Sequence, residues 1–256
     1  MAQNFLQLNE SKGELILFGP TTAISKTTGS LGALATLIQP KVRNLGVIFD
    51  SDLRFDAQVS AVVGSCFYQL RLITSIKPFF FIRDLQRVII SLILSRLDYC
   101  NSLYIGLTDE LTNRLQLIMN SAARMLTRTR MRDHISPVLA SLHWLPVQER
   151  AQFKTLLFTY KALNGLALDY ISELLEYTST QTSRTLRSGD QRLLHIPRSN
   201  LVSRGDRAFA VAAPRLWNAL PLDIRTAPLL TTFKRDFKTY CCQKLNYRIF
   251  RTIRRT

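Results

Sequence analysis

The chain has 256 residues, a formal net charge of +16 and 46% hydrophobic residues, with a mean hydropathy of +0.04. A chain of this length and apolar content can bury a core, which excludes global disorder, and no uninterrupted apolar run approaches the roughly 20 residues of a membrane span. The first eight residues lack the basic start and apolar stretch of a signal peptide, and the four cysteines are widely spaced apart from one adjacent pair. We therefore expect a soluble, intracellular protein with reduced thiols and no membrane contact.

Two short runs near the N-terminus have the composition of strands. Residues 13–19 (GELILFG) and 43–50 (RNLGVIFD) are rich in β-branched and aromatic side chains and close on glycine or aspartate. The stretch between them is rich in Thr, Ser and Gly and resembles a surface loop. The pattern predicts a small β element within the first 55 residues.

From Asp56 onward, apolar residues recur every three or four positions, which predicts a mainly α fold. A first helix is expected to begin at Asp56 and to stop at Pro78. Residues 83–107 carry so broad an apolar stripe that we expect one helix buried on most of its circumference. A third helix follows the capping residue Thr108, and a later one is expected to end at Asn164. Together these elements predict a helical bundle.

The C-terminal third changes character twice. A polar stretch is too hydrophilic to fold by itself and is the best linker candidate, whereas the residues after it regain a helical pattern. The predicted organisation is a β segment at 1–55, a helical bundle at 56–177, a basic linker at 178–207 and a basic helical segment at 208–256.

The positive charge is concentrated at the C-terminal end. Lys and Arg exceed Asp and Glu by 0 in residues 1–60, by 3 in 61–107, by 1 in 108–180 and by 12 in 181–256. Such a charge density repels itself unless a polyanion meets it, so this part of the chain is expected to bind a phosphate backbone. The candidate contacts are Arg184, Arg187, Arg192, Arg198, Arg204, Arg207, Lys234, Arg235 and Lys238.

A polar turn follows the apolar run that ends near residue 95. Arg96, Asp98, Tyr99 and Asn101 stand there within six positions. A buried charge without a partner would be costly, so we expect Arg96 and Asp98 to meet partners on neighbouring helices. Tyr99 or Asn101 would then complete the hydrogen bonds. Because no metal or base motif adjoins the turn, a structural network is favoured over a catalytic one.

Candidate catalytic and metal-binding groups are few. Asp50, Asp52 and Asp56 could offer oxygen ligands to a divalent ion, but aspartate is equally favoured in turns and at helix starts. The cysteines and histidines lack zinc-site spacing, and neither a nucleophile elbow nor a Gly-rich phosphate loop is present. We expect no cofactor and no metal. Trp144 and Trp217 have apolar flanks and are expected to be core anchors rather than base-stacking groups.

Eight blocks of the chain can be compared with a known family. They are LNESKGELILFG (8–19), LGVIFDSDLRFDAQV (45–59), SRLDYCNSLYIGL (95–107), LQLIMNSAARML (115–126), RDHISPVLASLHWLPVQERAQFKTLLFTYKALNG (132–165), RTLRS (184–188), GDRAFAVAAPRLWNALP (205–221) and FKRDFKTY (233–240). In this order they resemble the end of a LINE-type non-LTR retrotransposon polyprotein, downstream of the reverse transcriptase active site. The resemblance covers nearly the whole chain.

The resemblance implies a residual palm β segment, a helical thumb-like bundle and a basic C-terminal region. In that family RNA-templated DNA synthesis uses two divalent metals on an aspartate pair, and this sequence contains no Asp-Asp dipeptide. The first half of the palm also has no counterpart here. The implied function is that of a truncated, non-catalytic fragment of an RNA-directed DNA polymerase that binds RNA or an RNA/DNA hybrid through its Arg-rich end.

Two alternatives remain open at the level of sequence. The chain could be a helical protein–protein interaction module, with the remainder of a reverse transcriptase as a candidate partner. It could also be a metal-dependent phosphoryl-transfer enzyme that uses Asp50, Asp52 and Asp56. Salt dependence separates the first alternative from nucleic-acid binding, because contacts to phosphate weaken steeply as salt rises.

Overall fold

The computed structural model describes residues 13–19, 21–178, 191–199, 201 and 204–253. The described chain is mainly helical with a small two-stranded antiparallel sheet near the N-terminus, which confirms the predicted fold class. It packs as two compact units, residues 1–61 and 62–256. The helices are α1 (Thr21–Ser30), α2 (Asp56–Ile76), α3 (Ile82–Ile89), α4 (Ser95–Asp98), α5 (Asp109–Thr127), α6 (Ser136–Ser141), α7 (Val147–Leu163), α8 (Asp169–Ser172), α9 (Phe209–Asn218), α10 (Leu222–Arg225) and α11 (Leu230–Ile253).

The first unit holds a β-hairpin of β1 (Lys41–Asn44) and β2 (Val47–Asp50). The turn between them places Leu45 at φ 47° and Gly46 at φ 84°, the two positive values that a two-residue hairpin turn of type I′ requires. Glycine tolerates this conformation. The composition suggested a single strand over residues 43–50, whereas the structure places the hairpin turn inside that run.

Two N-terminal predictions are wrong in detail. Residues 13–19 do not form a strand of the sheet; Leu15 makes only an isolated parallel bridge to Ile38. The stretch predicted to be a loop contains α1, whose Thr and Ser hydroxyls donate to carbonyls three or four residues back, for example Thr28 to Ile24 at 2.8 Å. Ser and Thr have low helix propensity and favour caps and turns, which is why composition alone indicated a loop here.

α2 begins at Asp56 and ends before Pro78, as predicted. The stretch Asp56–Phe79 is, among the described residues, the one long and apolar enough by composition to cross a membrane, although polar residues interrupt it. Only 22% of its apolar window is buried. Cys66, Leu70 and Ile73 of this helix are buried within the second unit.

The apolar segment predicted to be one helix over residues 83–107 is divided. α3 gives way to a π-helical turn at Ile90–Leu94, and α4 ends where Cys100 adopts a left-handed φ of 51°. A 3₁₀ turn, Asn101–Tyr104, follows. The prediction of burial on most of the circumference is also wrong, since Ile90 and Leu92 are exposed. Neither glycine nor proline marks the end of α4 at Cys100, so residue type alone did not reveal this break in the helix.

α5 and α7 have the ends that the sequence predicted. The Thr108 hydroxyl accepts a hydrogen bond from the backbone N–H of Leu111, which caps α5. α7 ends at Leu163, and Gly165 follows with φ +67°, a conformation that favours glycine after a helix C-terminus.

α7, α9 and α11 share one core. The Tyr160 ring stacks on Phe233 with centroids 4.5 Å apart, and its hydroxyl donates to the carbonyl of Ala227 at 2.9 Å. Trp217 packs 6.1 Å from Phe233, measured between ring centroids. Trp217 and Trp144 are both buried, which confirms their prediction as core anchors.

The described part of the predicted linker is tied to α9. Leu194 is buried and forms an antiparallel bridge with Tyr177. Asn218 accepts from the N–H of Leu194 and donates to its carbonyl, both at 2.8 Å, and the Trp217 indole donates to the carbonyl of Arg192 at 3.0 Å. The backbone of Arg192 and Leu194 therefore has fixed partners on the helix that follows.

Candidate nucleic-acid interface

The predicted interface is best defined on α11. Phe233, Phe237 and Cys241 recur at a spacing of four and are buried, whereas Lys234, Arg235 and Lys238 are exposed; we call these three cations the α11 basic stripe. Burying each phenylalanine contributes about 1.5–3 kcal/mol, so the apolar face holds the helix in place. The stripe is thus presented to solvent by a helix anchored in the core.

The α11 basic stripe stays exposed despite a neighbouring acidic residue. The Arg235 guanidinium lies 2.9 Å from the carboxylate of its neighbour Asp236, yet the Arg235 side chain is 74% exposed. An exposed pair of this kind contributes roughly 0–1 kcal/mol, and salt screens it. A phosphate group that approaches Arg235 therefore competes with a weak contact.

The remaining predicted arginines fall into different surroundings. Arg192 and Arg198 are exposed on the segment that Leu194 anchors. Arg184 and Arg187 lie outside the described residues. Arg204 is half-buried at the start of the 3₁₀ turn Gly205–Arg207.

Arg207 differs from its prediction as a phosphate contact. Its Nε donates to the carbonyl of Ile105 at 2.9 Å and its Nη2 to the carbonyl of Leu103 at 3.1 Å. The methylene stem of Arg207 packs against Gly106, where φ is +66° and a Cβ would come within 2.6 Å of the Arg207 Cγ. Two of its nitrogens are thus occupied by backbone carbonyls, and we remove Arg207 from the interface.

The polar turn at residues 96–101 is organised around one ion pair. Arg150 of α7 donates through Nε to Asp98 Oδ1 at 2.7 Å and through a second nitrogen to Oδ2. Asn101 Nδ2 donates to Asp98 Oδ1 at 3.3 Å. Arg96 reaches a different helix, where its Nη1 donates to the Ser65 hydroxyl at 2.6 Å. The ion pair joins α4 to α7, and the arginine of the turn joins α4 to α2.

One detail of that turn departs from the expectation. The Asp98 side chain is 41% exposed and that of Arg150 20%, so the pair is half-buried rather than enclosed. Tyr99 is exposed at the point where α4 ends and the backbone turns to an extended ψ of 118°.

Two of the three aspartates considered as a metal site, Asp50 and Asp56, have local partners. Asp50 accepts hydrogen bonds from the N–H groups of Arg54 and Phe55 at 2.8 and 2.7 Å, and Asp56 lies 3.3 Å from the Arg54 guanidinium. Within the described ranges, no group of three His, Cys, Asp or Glu side chains is arranged to hold a metal ion. Turn and helix-start chemistry accounts for these carboxylates.

Sequence reasoning passed over one basic cluster. Arg128, Arg130 and Arg132 are exposed in the loop after α5, and Arg124 holds that loop by donating to the carbonyl of Arg130 and, at 2.8 Å, to that of Asp133. Arginine at every second position from 128 to 132 was the sequence signal for this cluster. It was hidden because acidic residues elsewhere in 108–180 bring the net charge of that segment to +1.

Comparisons of the chain with models of protein families, with curated proteins and with solved structures find no match. The exposed cations, the elements that hold them and the sequence resemblance are therefore the features that bear on function.

Proposed function

We propose that the chain is a non-catalytic nucleic-acid-binding segment of the LINE-type reverse transcriptase class, and that it holds RNA or an RNA/DNA hybrid through its basic C-terminal part. The observation that carries the proposal is the α11 basic stripe, formed by exposed Lys234, Arg235 and Lys238 on a helix whose other face is buried. Cations on a fixed helix meet a phosphate backbone with little loss of backbone entropy.

No polymerisation is proposed for the chain by itself. The family's chemistry needs an aspartate pair that this sequence lacks, and Asp50 is engaged with the backbone of its own turn. Its role would be to hold a template or hybrid for an active site that another segment supplies.

The test is the affinity of the full chain for a labelled RNA/DNA hybrid, measured by fluorescence anisotropy over a range of salt concentrations. Each phosphate contact contributes roughly 0.7–0.9 to the slope of log affinity against log salt. We expect a slope of about −3 or steeper and tight binding at low salt. An affinity that does not respond to salt, or no binding at low salt, would exclude the proposal.

A second candidate function is docking of another protein, which one specific surface favours. Phe79 and Phe81 are 86% and 83% exposed in the turn between α2 and α3, and Ile82 beside them is also exposed. Adjacent exposed aromatic side chains are typical of interaction surfaces. A complex that forms through this turn would persist at high salt, whereas the nucleic-acid complex would not.

A further inference from the structure

A cavity of about 300 Å³ opens beside the Asp98–Arg150 ion pair. It lies where the end of α4, the 3₁₀ turn after it, α7 and α11 come together, and it is lined by side chains from each of these elements. This volume is at the lower end of the range for sites that bind small molecules, so it suits one compact ligand.

The charge of the lining favours an anion. Three basic residues, Arg150, Lys154 and Lys238, face one carboxylate, that of Asp98. Asp98 is already engaged by two nitrogens of Arg150, which neutralises it. In the part of the chain that the structure describes, Lys154 and Lys238 form no salt bridge, and the contact seen for Lys154 is with the Phe158 ring, 5.7 Å from its centroid. Two ammonium groups are thus available to a phosphate.

Asn101 adds an acceptor to the same cavity. The residue is 4% exposed, and its Nδ2 is used by Asp98. Its Oδ1 has no hydrogen-bond donor among the described residues. Buried polar atoms are almost always paired, so this enclosed amide oxygen would gain a hydrogen bond from a ligand N–H that reached it.

Phe153 adds an aromatic ring to the lining, which also includes His143 and Leu145. Phe153 is half-buried and stacks on Phe237 with ring centroids 5.6 Å apart and an interplanar angle of 27°. Phe237 is itself buried, so the Phe153 ring is held in a fixed orientation. Fixed aromatic rings of this kind stack nucleobases without regard to sequence.

We propose that this cavity binds one unpaired nucleotide of an RNA strand. Its phosphate would lie at Lys154 and Lys238, its base would pack on Phe153, and a base N–H would donate to Asn101 Oδ1. The assignment rests on the proposed function and deepens it, since Lys238 belongs to both the cavity and the α11 basic stripe. A free nucleotide has the same chemistry as a nucleotide in a strand, so the test must separate the two.

The first measurement is titration calorimetry of the full chain at low salt with cytidine 5′-monophosphate, whose exocyclic amine is a donor. Ribose 5-phosphate and inorganic phosphate serve as ligands that lack the base. We expect the nucleotide to bind about tenfold more tightly than ribose 5-phosphate. Equal affinity for all three, or no binding of the nucleotide, would overturn the assignment.

Variants locate the site. Lys154→Gln should weaken nucleotide binding about fivefold, whereas Lys161→Gln, on the same helix but outside the cavity, should leave it unchanged. Asn101→Ala should lower the affinity for the nucleotide about fivefold and leave the affinity for inorganic phosphate unchanged. Partial unfolding would not produce that difference. An equal loss from Lys154→Gln and Lys161→Gln would overturn the site.

Competition distinguishes the two sources of the nucleotide. A single-stranded RNA tetramer should displace cytidine 5′-monophosphate from the wild-type chain, and failure to displace it would overturn the assignment to a strand. Hybrid binding measured on the same preparation separates the two proposals. Salt-dependent hybrid binding without nucleotide binding overturns the cavity alone, and absence of both overturns the proposed function as well.

Discussion

Asp98, at the end of α4, accepts two hydrogen bonds from Arg150 on α7, a residue 52 positions further along the chain. The contact is bidentate, which adds geometric specificity to charge attraction. It lies where α4 ends and Cys100 turns into the left-handed region, and it therefore fixes the direction of the chain as it leaves α4.

The first prediction concerns the free energy of unfolding that this pair supplies. Exposed pairs contribute roughly 0–1 kcal/mol, and breaking a buried pair costs about 3–5 kcal/mol. Because Asp98 and Arg150 are half-buried and aligned, we expect Asp98→Ala to destabilise the chain by about 1–3 kcal/mol. A double-mutant cycle with Arg150→Ala, followed by urea unfolding, should give a coupling energy of about 1 kcal/mol or more.

The matched control is the pair formed by Arg87 and Asp84, 3.3 Å apart on α3 with both side chains exposed. Its coupling energy should be below about 0.5 kcal/mol. Equal coupling energies for the two pairs would contradict the structural role assigned to Asp98.

The same contact marks the limit of what the sequence predicted. That Asp98 needs a partner follows from the apolar run before it, but which of the arginines pairs with it does not, because a single sequence carries no distance between residues so far apart. The cap at Thr108 could be predicted because its chemistry is local. The left-handed conformation of Cys100 could not, since a non-glycine residue seldom adopts a positive φ and its residue type gives no sign of it.

In the candidate site too, the sequence predicts the local features but not the contacts between distant parts of the chain. The spacing of Phe233 and Phe237 predicts the cationic face of α11, and the structure places that face in solvent. Arg207 has the same composition-level signal as the exposed arginines, yet it donates to two carbonyls more than 100 positions earlier in the chain. Charge density identifies a basic region but does not separate the arginines that pack from those that face solvent.

The second prediction tests the structural role of Arg207. Lysine keeps the charge but cannot reproduce the fork of Nε and Nη2, so Arg207→Lys should cost about 1–2 kcal/mol in urea unfolding. Arg198→Lys, at an exposed position, should change stability by less than about 0.5 kcal/mol. If Arg207 contacts phosphate instead, Arg207→Lys will leave stability unchanged and weaken hybrid binding.

The third prediction separates the α11 basic stripe from a general effect of net charge. Lys234→Gln combined with Arg235→Gln removes two charges, and the magnitude of the slope of log hybrid affinity against log salt should fall by about 1.5. Arg71→Gln combined with Arg83→Gln removes the same charge from exposed positions on α2 and α3. If both double variants reduce the slope equally, no localised interface exists on α11.

The fourth prediction uses the buried thiols. Burial raises the pKa of Cys66 to about 11 and that of Cys241 to about 12, from 9.0 for an ordinary thiol. Arg96 opposes the shift at Cys66, whereas Glu149 adds to it at Cys241. The unfolded chain therefore releases these protons near pH 9, while the folded chain retains them until higher pH. The stabilising contribution is complete below pH 9 and is lost as pH rises through 11.

Each buried thiol steepens the loss of stability by up to about 1.4 kcal/mol per pH unit above pH 9. Urea midpoints at pH 8, 9, 10 and 10.5 should fall less steeply for Cys66→Ala than for the wild type, even though the variant starts lower because of its cavity. Parallel curves would show that the pKa of Cys66 is the same in the folded and the unfolded chain, which contradicts the effect of burial.

The last prediction concerns Arg225, the C-terminal residue of α10. Only 7% of the Arg225 surface is exposed. Within the described residues its Nε and Nη1 have no hydrogen-bond partner. Desolvation lowers the pKa of this guanidinium. Leaving polar atoms unpaired costs about 1–3 kcal/mol, so Arg225→Met, which keeps an unbranched apolar side chain, should stabilise the chain by an amount in that range.

The melting temperature should rise by about 2–4 °C per kcal/mol. Arg71→Met, at an exposed position, should leave it nearly unchanged, and a lower melting temperature for Arg225→Met would mean that the guanidinium stabilises the fold.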